Sequence, residues 1–351
     1  MKIRFINSVI SILTFFISGK KNKAKQKFFE FMPKDITLKD DAFHGSKALS
    51  FTEWWYFDAN LDNGYSIQLS IRIGDILRSS IFIVFKRIDL YKDGKLIKSK
   101  KKLYLKKHFF ASKEIPHVKI KGKDIIKGDI DKKTGRLIYT LNFKIDNITA
   151  NLSFEGKTKG YKGTVGKPIN KKGITKQGKW AVILPFATVK GKIKIKDKEM
   201  DAKGFGYHDH NWDMRGIVIT NHGWFWGKLY FKDHIIVWSK VFKTKTIASE
   251  LLVISIKNGR YVNVKSDDIK LITNNYKKIK GRLIPHHLNL AVNNKNITIN
   301  IDMNAMTLHH TKVMGFINYF RYHMKCNGSV SIESKDEKIE DKCICEFLRF
   351  G

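Results

Sequence analysis

Tyr65-Ser66-Ile67-Gln68-Leu69-Ser70-Ile71-Arg72-Ile73 alternates apolar and polar side chains without a break. Successive side chains of an extended chain point to opposite faces. This period of two therefore sets Ile67, Leu69, Ile71 and Ile73 against Ser66, Gln68, Ser70 and Arg72, as in a half-buried strand. Leu137 to Ile145 follows the same rule with Ile138 out of phase, and Ile81-Phe82-Ile83-Val84-Phe85 with Ile88-Asp89-Leu90-Tyr91 reads as a more apolar strand. The separators are hairpin-turn residues: Asp62-Asn63-Gly64, Lys92-Asp93-Gly94, Lys133-Thr134-Gly135, Lys257-Asn258-Gly259 and Asn327-Gly328. Only five prolines occur and no long capped amphipathic helix follows residue 40, which argues against alternating strand–helix units. The chain is all-β, built of antiparallel meanders.

Strands at roughly ten-residue spacing over about 300 residues exceed one small barrel, because about eight strands suffice to close one around a ligand. Two tandem barrels are expected, at 41–178 and 179–351. The seam between them is read in the Gly- and Lys-rich run from Gly156 to Gly178, which contains Pro168. Glu53-Trp54-Trp55-Tyr56-Phe57 and Gly223-Trp224-Phe225-Trp226-Gly227 each enter a strand and are candidates for equivalent positions in an internal repeat.

The aromatic content, 24 Phe, 12 Tyr and 7 Trp, excludes a disordered chain. The formal charge is 67 − 32 = +35, which suggests an anionic partner. Yet 57 of the basic residues are Lys and only 10 are Arg, the residue that reads bases and grips phosphate bidentately. Most lysines alternate with apolar residues, as in Val189-Lys190-Gly191-Lys192-Ile193-Lys194-Ile195-Lys196. That is a solvated strand face, and no nucleic-acid partner is expected. The three cysteines, Cys326, Cys343 and Cys345, have no zinc spacing and read as buried small hydrophobes, with a single bridge to Cys326 left open.

The amino terminus differs in kind. Met1-Lys2-Ile3-Arg4 precedes an apolar run from Phe5 to Ser18, and Lys20-Lys21-Asn22-Lys23-Ala24-Lys25 follows. Some fifteen helical residues reach ~22 Å, short of a ~30 Å bilayer core. An interfacial apolar helix within 1–40 is therefore expected, as an anchor or uncleaved signal. It would make the protein membrane-associated, with an anionic membrane surface as partner.

The densest polar cluster is Gly204-Phe205-Gly206-Tyr207-His208-Asp209-His210-Asn211-Trp212-Asp213. Read as a strand, it places Tyr207, Asp209 and Asn211 on one face and His208, His210 and Trp212 on the other. By the same parity Trp224 pairs with Trp226, Trp54 with Tyr56, and Glu53 with Trp55. The Trp-rich segments read as walls of an apolar cavity.

Taken together, Glu53-Trp54-Trp55-Tyr56-Phe57 with Leu61-Asp62-Asn63-Gly64, Trp180 with Pro185 and Val189-Lys190-Gly191, the Gly204 to Trp212 run, and Trp224-x-Trp226-Gly227 resemble the carotenoid 1,2-hydratase (hydroxyneurosporene synthase) superfamily. That superfamily includes AttH-like proteins and lipocalin-type Diels–Alderases. The likeness covers roughly residues 45 to 240. It implies tandem lipocalin-like (calycin) barrels, a hydrophobic isoprenoid or polyene ligand, and no metal or organic cofactor. One departure stands out: Asp213-Met214-Arg215 follows the cluster where the family usually has Gly.

Hydration of an isolated trisubstituted alkene needs a proton donor, a surface that tolerates a tertiary cation, and a base for water. Asp209 is the first candidate acid and Glu53 the second, each as a carboxyl kept protonated by an apolar cavity. Tyr207, Trp212, Trp224 and Trp226 offer π faces to the cation. His208 or His210 would accept the water proton or orient a carboxyl. Trp54, Trp55, Tyr56 and Asn211 complete the expected ligand-binding set. Three other readings stand beside this one. The polar cluster would serve as a packing lock between barrels, or the cavity would belong to a non-catalytic lipid carrier. In the third, a cupin-like metal site would use His208 and His210 with Asp213, His222 and His234.

Overall fold

The protein is described here from a computed structural model, covering residues 28–349 apart from 49, 77–80, 167–176, 215–221, 258 and 314–316. Ile67, Leu69, Ile71 and Ile73 are fully buried, as their alternation requires. Their strand, Tyr65–Ile76, lies between Ser50–Leu61 and Ile81–Lys92 in a thirteen-stranded antiparallel sheet. Across this sheet the order runs Lys95–Leu105, Ile81–Lys92, Tyr65–Ile76, Ser50–Leu61, Lys198–Trp212, Gly178–Ile195, Ile148–Gly156, Leu137–Ile145 and Lys123–Ile130, then two short strands. The second sheet has nine strands. Its order is Tyr261–Val264, Ala248–Ile256, His234–Phe242, Gly223–Tyr230, Lys335–Arg349, Ile317–Ile332, Ile297–Val313, Arg282–Asn293 and Ile269–Ile279.

The two sheets share a plan. Each opens with a four-strand meander, and the first strand of that meander pairs on its other side with the last strand of the sheet. Trp54 and Trp224 lie on those equivalent first strands, Ser50–Leu61 and Gly223–Tyr230. Both sheets curl: Ile81–Lys92 and Lys95–Leu105 reach Leu137–Ile145, and Ala248–Ile256 reaches Ile269–Ile279. One apolar core fills each curl, and a third, with Trp54, Tyr56, Tyr161, Trp180, Tyr207, Trp226 and Val237, lies between them. Lysines decorate the outside: Lys190, Lys192 and Lys194 are exposed while Val189 and Ile193 are buried.

The change of sheet falls between Trp212 and Gly223 rather than at 178. Tyr161–Val165 and Gly178–Ile195 pair with each other, so the Gly- and Lys-rich run connects neighbouring strands of one sheet, and a division at 178/179 would cut that sheet in two. Asn327-Gly328 is no hairpin turn either. It lies inside Ile317–Ile332, where a Cβ on Gly328 would meet the carbonyl oxygen of Asn300 at 2.1 Å, so the glycine serves close backbone approach. Cys326 and Cys343, on neighbouring strands with Cα atoms 6.4 Å apart, form a disulfide, and Cys345 is free and buried.

Part of the expected anchor segment belongs to the folded body. Phe28 and Phe31 are buried in the third core. The Phe28 and Phe29 amides donate to Ser249 Oγ at 3.1 and 3.2 Å, Asn263 donates to the Phe31 carbonyl at 3.1 Å, and Lys34–Asp35 pairs with Tyr161 and Lys162. Residues 28–35 thus strap one sheet to the other. The expected apolar helix itself lies among residues 1–27, outside the described residues. Among the described residues no helix is long and apolar enough to cross a membrane, and the chain from Phe28 onward is taken up in two curled sheets. The membrane-associated location read from the sequence is corrected accordingly.

Candidate active site

Strand Lys198–Trp212 divides the interior. It pairs with Ser50–Leu61 in a register that sets His210 opposite Trp55 and Asp209 opposite Tyr56. Because side chains alternate, the even residues enter the first curl and the odd residues face the second sheet.

On the even side His208 and His210 are fully buried. His208 Nδ1 donates to the Tyr56 carbonyl at 3.0 Å, and its Nε2 lies 2.8 Å from Asp41 Oδ2. His210 Nε2 lies 3.0 Å from Glu53 Oε1, and its Nδ1 lies 3.2 Å from Asp41 Oδ1. All four imidazole nitrogens therefore face acceptors. Burial alone would pull the His210 ring down, but the Asp41 and Glu53 carboxylates outweigh it and hold its pKa up to about 9. Burial likewise opposes the charge on Asp41 and Glu53. His208 and His210 overcome this for Asp41, and His210 with His44 for Glu53, so both carboxyls lie below their usual range. The Phe57 ring stacks on His208 at 3.7 Å, Trp55 on His210 at 4.5 Å, and Trp212 on His44 at 3.8 Å. This is a closed ion network sealed by aromatic rings. His44, Glu53 and His210 are close enough to hold a metal ion. His210 Nε2 and Glu53 Oε1 face each other at 3.0 Å with the ring held protonated, so a metal between them would have to displace that proton. His222 and His234 belong to the second sheet region, with His234 paired to Glu337, so the cupin-like set is not assembled.

On the odd side a cavity of about 560 Å³ opens between the sheets. Trp54, Tyr56, Trp180, Asp209, Asn211 and Met214 line it from the first sheet and its end, and Trp224, Trp226, Val241, Tyr319, Glu346 and Leu348 from the second. Asp209 is the buried carboxyl of its Trp-rich end. Trp180 Nε1 and the Tyr207 hydroxyl each donate to its Oδ2 at 2.9 Å, and Asn211 Nδ2 donates to Oδ1 at 2.9 Å. Each carboxyl oxygen has two acceptor sites. Oδ2 is thus saturated, and the acid proton belongs on Oδ1. Burial drives the Asp209 pKa up to about 7, although the Trp180 and Tyr207 hydrogen bonds work against the rise.

Beside the cavity a second set of charges joins the sheets. Lys228 pairs with Asp58, and the Tyr56 hydroxyl lies 2.9 Å from Asp58 and 2.8 Å from Glu346. Arg321 donates to the Tyr56 hydroxyl at 2.7 Å and to Glu346 Oε1 at 2.5 Å, while Tyr319 donates to Glu346 Oε1 at 2.6 Å. The two cations balance the two anions. Burial lowers Lys228 to about 8 despite the pull of Asp58.

The predicted site residues separate along these two faces. Asp209, Trp54, Tyr56, Asn211, Trp224 and Trp226 meet at the cavity. Tyr207 stands behind Asp209 and orients it. Glu53, His208, His210, Trp55 and Trp212 lie in the first curl, away from the cavity. Trp180, Asp41, Tyr319, Arg321 and Glu346 were missed as site residues. A lone Glu in Cys343-Ile344-Cys345-Glu346-Phe347-Leu348, and one of only ten arginines at 321, were the available signals. Asp213, standing where a glycine was expected, has φ +54, the left-handed conformation that glycine takes without strain.

Fold and site together define a pair of curled, calycin-like antiparallel sheets with a cavity between them. No protein-family profile matches the chain, and no curated protein matches it. Among solved structures, an AttH-type protein of Nitrosomonas europaea superposes with a TM-score of 0.63 at 12% identity, covering 90% of this chain and 96% of that one. Kievitone hydratase from Nectria haematococca superposes with a TM-score of 0.57 at 11% identity, covering 90% and 93%. At these identities the likeness establishes the fold.

Proposed function

We propose that the chain belongs to the carotenoid 1,2-hydratase and AttH superfamily, and that it binds a hydrophobic small molecule, an isoprenoid or polyene, between its sheets and protonates it from Asp209. The observation that carries this reading is a buried carboxyl, its pKa pushed to about 7, facing a cavity walled by tryptophans. A carrier needs the walls alone. A neutral carboxylic acid held by three donors is what acid catalysis of an alkene requires in addition. One fold neighbour is by name a hydratase, which is the reaction type favoured here.

In the proposed step the Oδ1 proton of Asp209 passes to one alkene carbon and the other becomes a tertiary cation. The faces of Trp224 and Trp226 stabilise that cation. Water adds to it, forming the C–O bond, and the surplus water proton goes to Glu346. Among the described residues the donors to that carboxylate, Tyr56, Tyr319 and Arg321, converge on Oε1. Capture of the cation by a second double bond instead of water would give a cyclic isomer. His208, His210 and Glu53 take no part in proton transfer and hold the strand that carries Asp209.

Extraction of lipids from the native host, with the wild-type chain or Asp209→Asn, tests the reading by mass spectrometry. A product one water heavier than its precursor, lost in the variant, is the expected result. An isomeric product lost in the variant assigns cyclisation. Unaltered lipid co-purifying with both proteins would make the chain a carrier and remove the catalytic role of Asp209.

A further inference from the structure

The cavity is electrically lopsided. Asn211, Trp54, Arg72 and Phe85 are direct cross-strand neighbours on successive strands, so Arg72 lies two strands, ~10 Å, from the strand of Asp209 along one wall. The Arg72 guanidinium lies over the Trp54 ring at 4.6 Å. Among the described residues no carboxylate lies within ion-pairing distance of it. Its neighbours on that wall are also cationic. Arg87 is paired to Asp89 while its buried Nε has no hydrogen-bond partner among the described residues, and Lys101 donates to Thr311 Oγ1 and to the Lys312 carbonyl. Arg72 is half-buried; burial, and Arg87 beside it, lower it to about 10 while Tyr319 and Glu346 act the other way through space, so the group stays charged at neutral pH with no ion pair among the described residues. Of the acids that line the same cavity, Glu346 is ion-paired to Arg321 and reaches Arg72 only through space, and Asp209 is substantially protonated. A charge kept in such a place has a ligand's charge as its natural partner.

We propose that the cavity selects an amphiphile with a single anionic head group, a carboxylate or phosphate monoester, gripped by Arg72 while its apolar body runs past Trp54 and Trp224 to Asp209. This rests on the reading of the cavity as the substrate site and adds the substrate class. Arg72 is then the specificity-determining residue: it fixes the distance from head group to the carbon that meets the acid. Planar guanidinium suits both head groups, which it binds through two parallel hydrogen bonds.

Titration of the full chain with dodecanoate, dodecyl phosphate and dodecan-1-ol at pH 7, followed by the fluorescence of the cavity tryptophans, tests the inference. At least one anion is expected to bind about tenfold or more tighter than the alcohol, as a charge-assisted hydrogen bond of ~1.5 kcal/mol or more implies. The tighter anion identifies the head group. In Arg72→Met that preference is expected to fall to within about twofold, and Arg72→Lys is expected to restore part of it. Equal binding of acid and alcohol by the wild-type chain overturns the inference and leaves the cavity reading intact, as does a preference that survives Arg72→Met. Binding of none of the three overturns both. The wild-type ratio needs no variant, so a folding defect in Arg72→Met does not shelter the inference.

Discussion

The two faces of strand Lys198–Trp212 carry the same kinds of side chain and put them to opposite uses. The even face joins His208 and His210 to Asp41 and Glu53 in a set where every charge meets its opposite. The odd face gives Asp209 only neutral donors, Trp180, Tyr207 and Asn211. Both faces are buried, so burial alone does not decide whether a carboxyl ionises. The partners do: His208 and His210 pull Asp41 down, whereas the neutral donors Trp180, Tyr207 and Asn211 fail to offset the desolvation of Asp209. A balanced network stabilises the fold, and an unbalanced acid can give up a proton.

The sharpest way to break the contrast is Asp41→Asn. It removes the carboxylate shared by two imidazoles and leaves them buried without half their countercharge. A loss of ~3–5 kcal/mol is expected, measured by denaturant unfolding. Asp209→Asn is the counterpart. It should leave stability at pH 5 within ~1 kcal/mol of wild type while turnover falls ~10²–10⁴-fold, the usual worth of a positioned general acid.

Stability against pH should separate the faces without any loss of fold. The pKa of His210 rises from 6.5 to about 9 on folding, so its contribution is complete below pH ~6.5 and disappears as pH climbs through 9. Asp41 and Glu53 are lowered, so theirs holds above pH ~4.5 and is lost on acidification. Asp209 rises from 3.8 to about 7, which costs stability progressively between those values. Thermal melts across pH should therefore show Asp209→Asn losing the decline between pH ~4 and ~7 while keeping the decline from ~6.5 to 9. The smallest effect is expected from Trp180→Phe. Removing a donor that favours the carboxylate raises the Asp209 pKa further, so the alkaline limb of kcat/KM should move up from about 7 by ~0.5–1 unit.

Much of this was legible in one sequence, and the limits have a physical cause. Period-two alternation named the strands, and applied to residues 207–212 it separated Tyr207, Asp209 and Asn211 from His208, His210 and Trp212 as the structure does. It could not say which face met the cavity, because both faces are buried and parity carries no information about what lies opposite. Asp41 was passed over because its residue falls in a short turn, Leu38–Asp41, with no pattern of its own. Glu346 reaches Tyr56 across 290 residues, and nothing local to either end encodes that meeting. The change of sheet was misplaced for a related reason. Glycine and lysine mark a connection, but they do not distinguish a connection inside one sheet from one between two.

The alternation of strand Lys198–Trp212 also bears on how such a protein can diverge. Inserting or deleting one residue between Gly206 and Trp212 would exchange the faces, driving imidazoles into the cavity and the acid into the charge-balanced core. Length in this segment is therefore locked. Substitutions at the odd positions can remodel the chemistry while the even positions keep the scaffold standing, so new reactivity is most accessible by point change at 207, 209 and 211 and on the strands facing them.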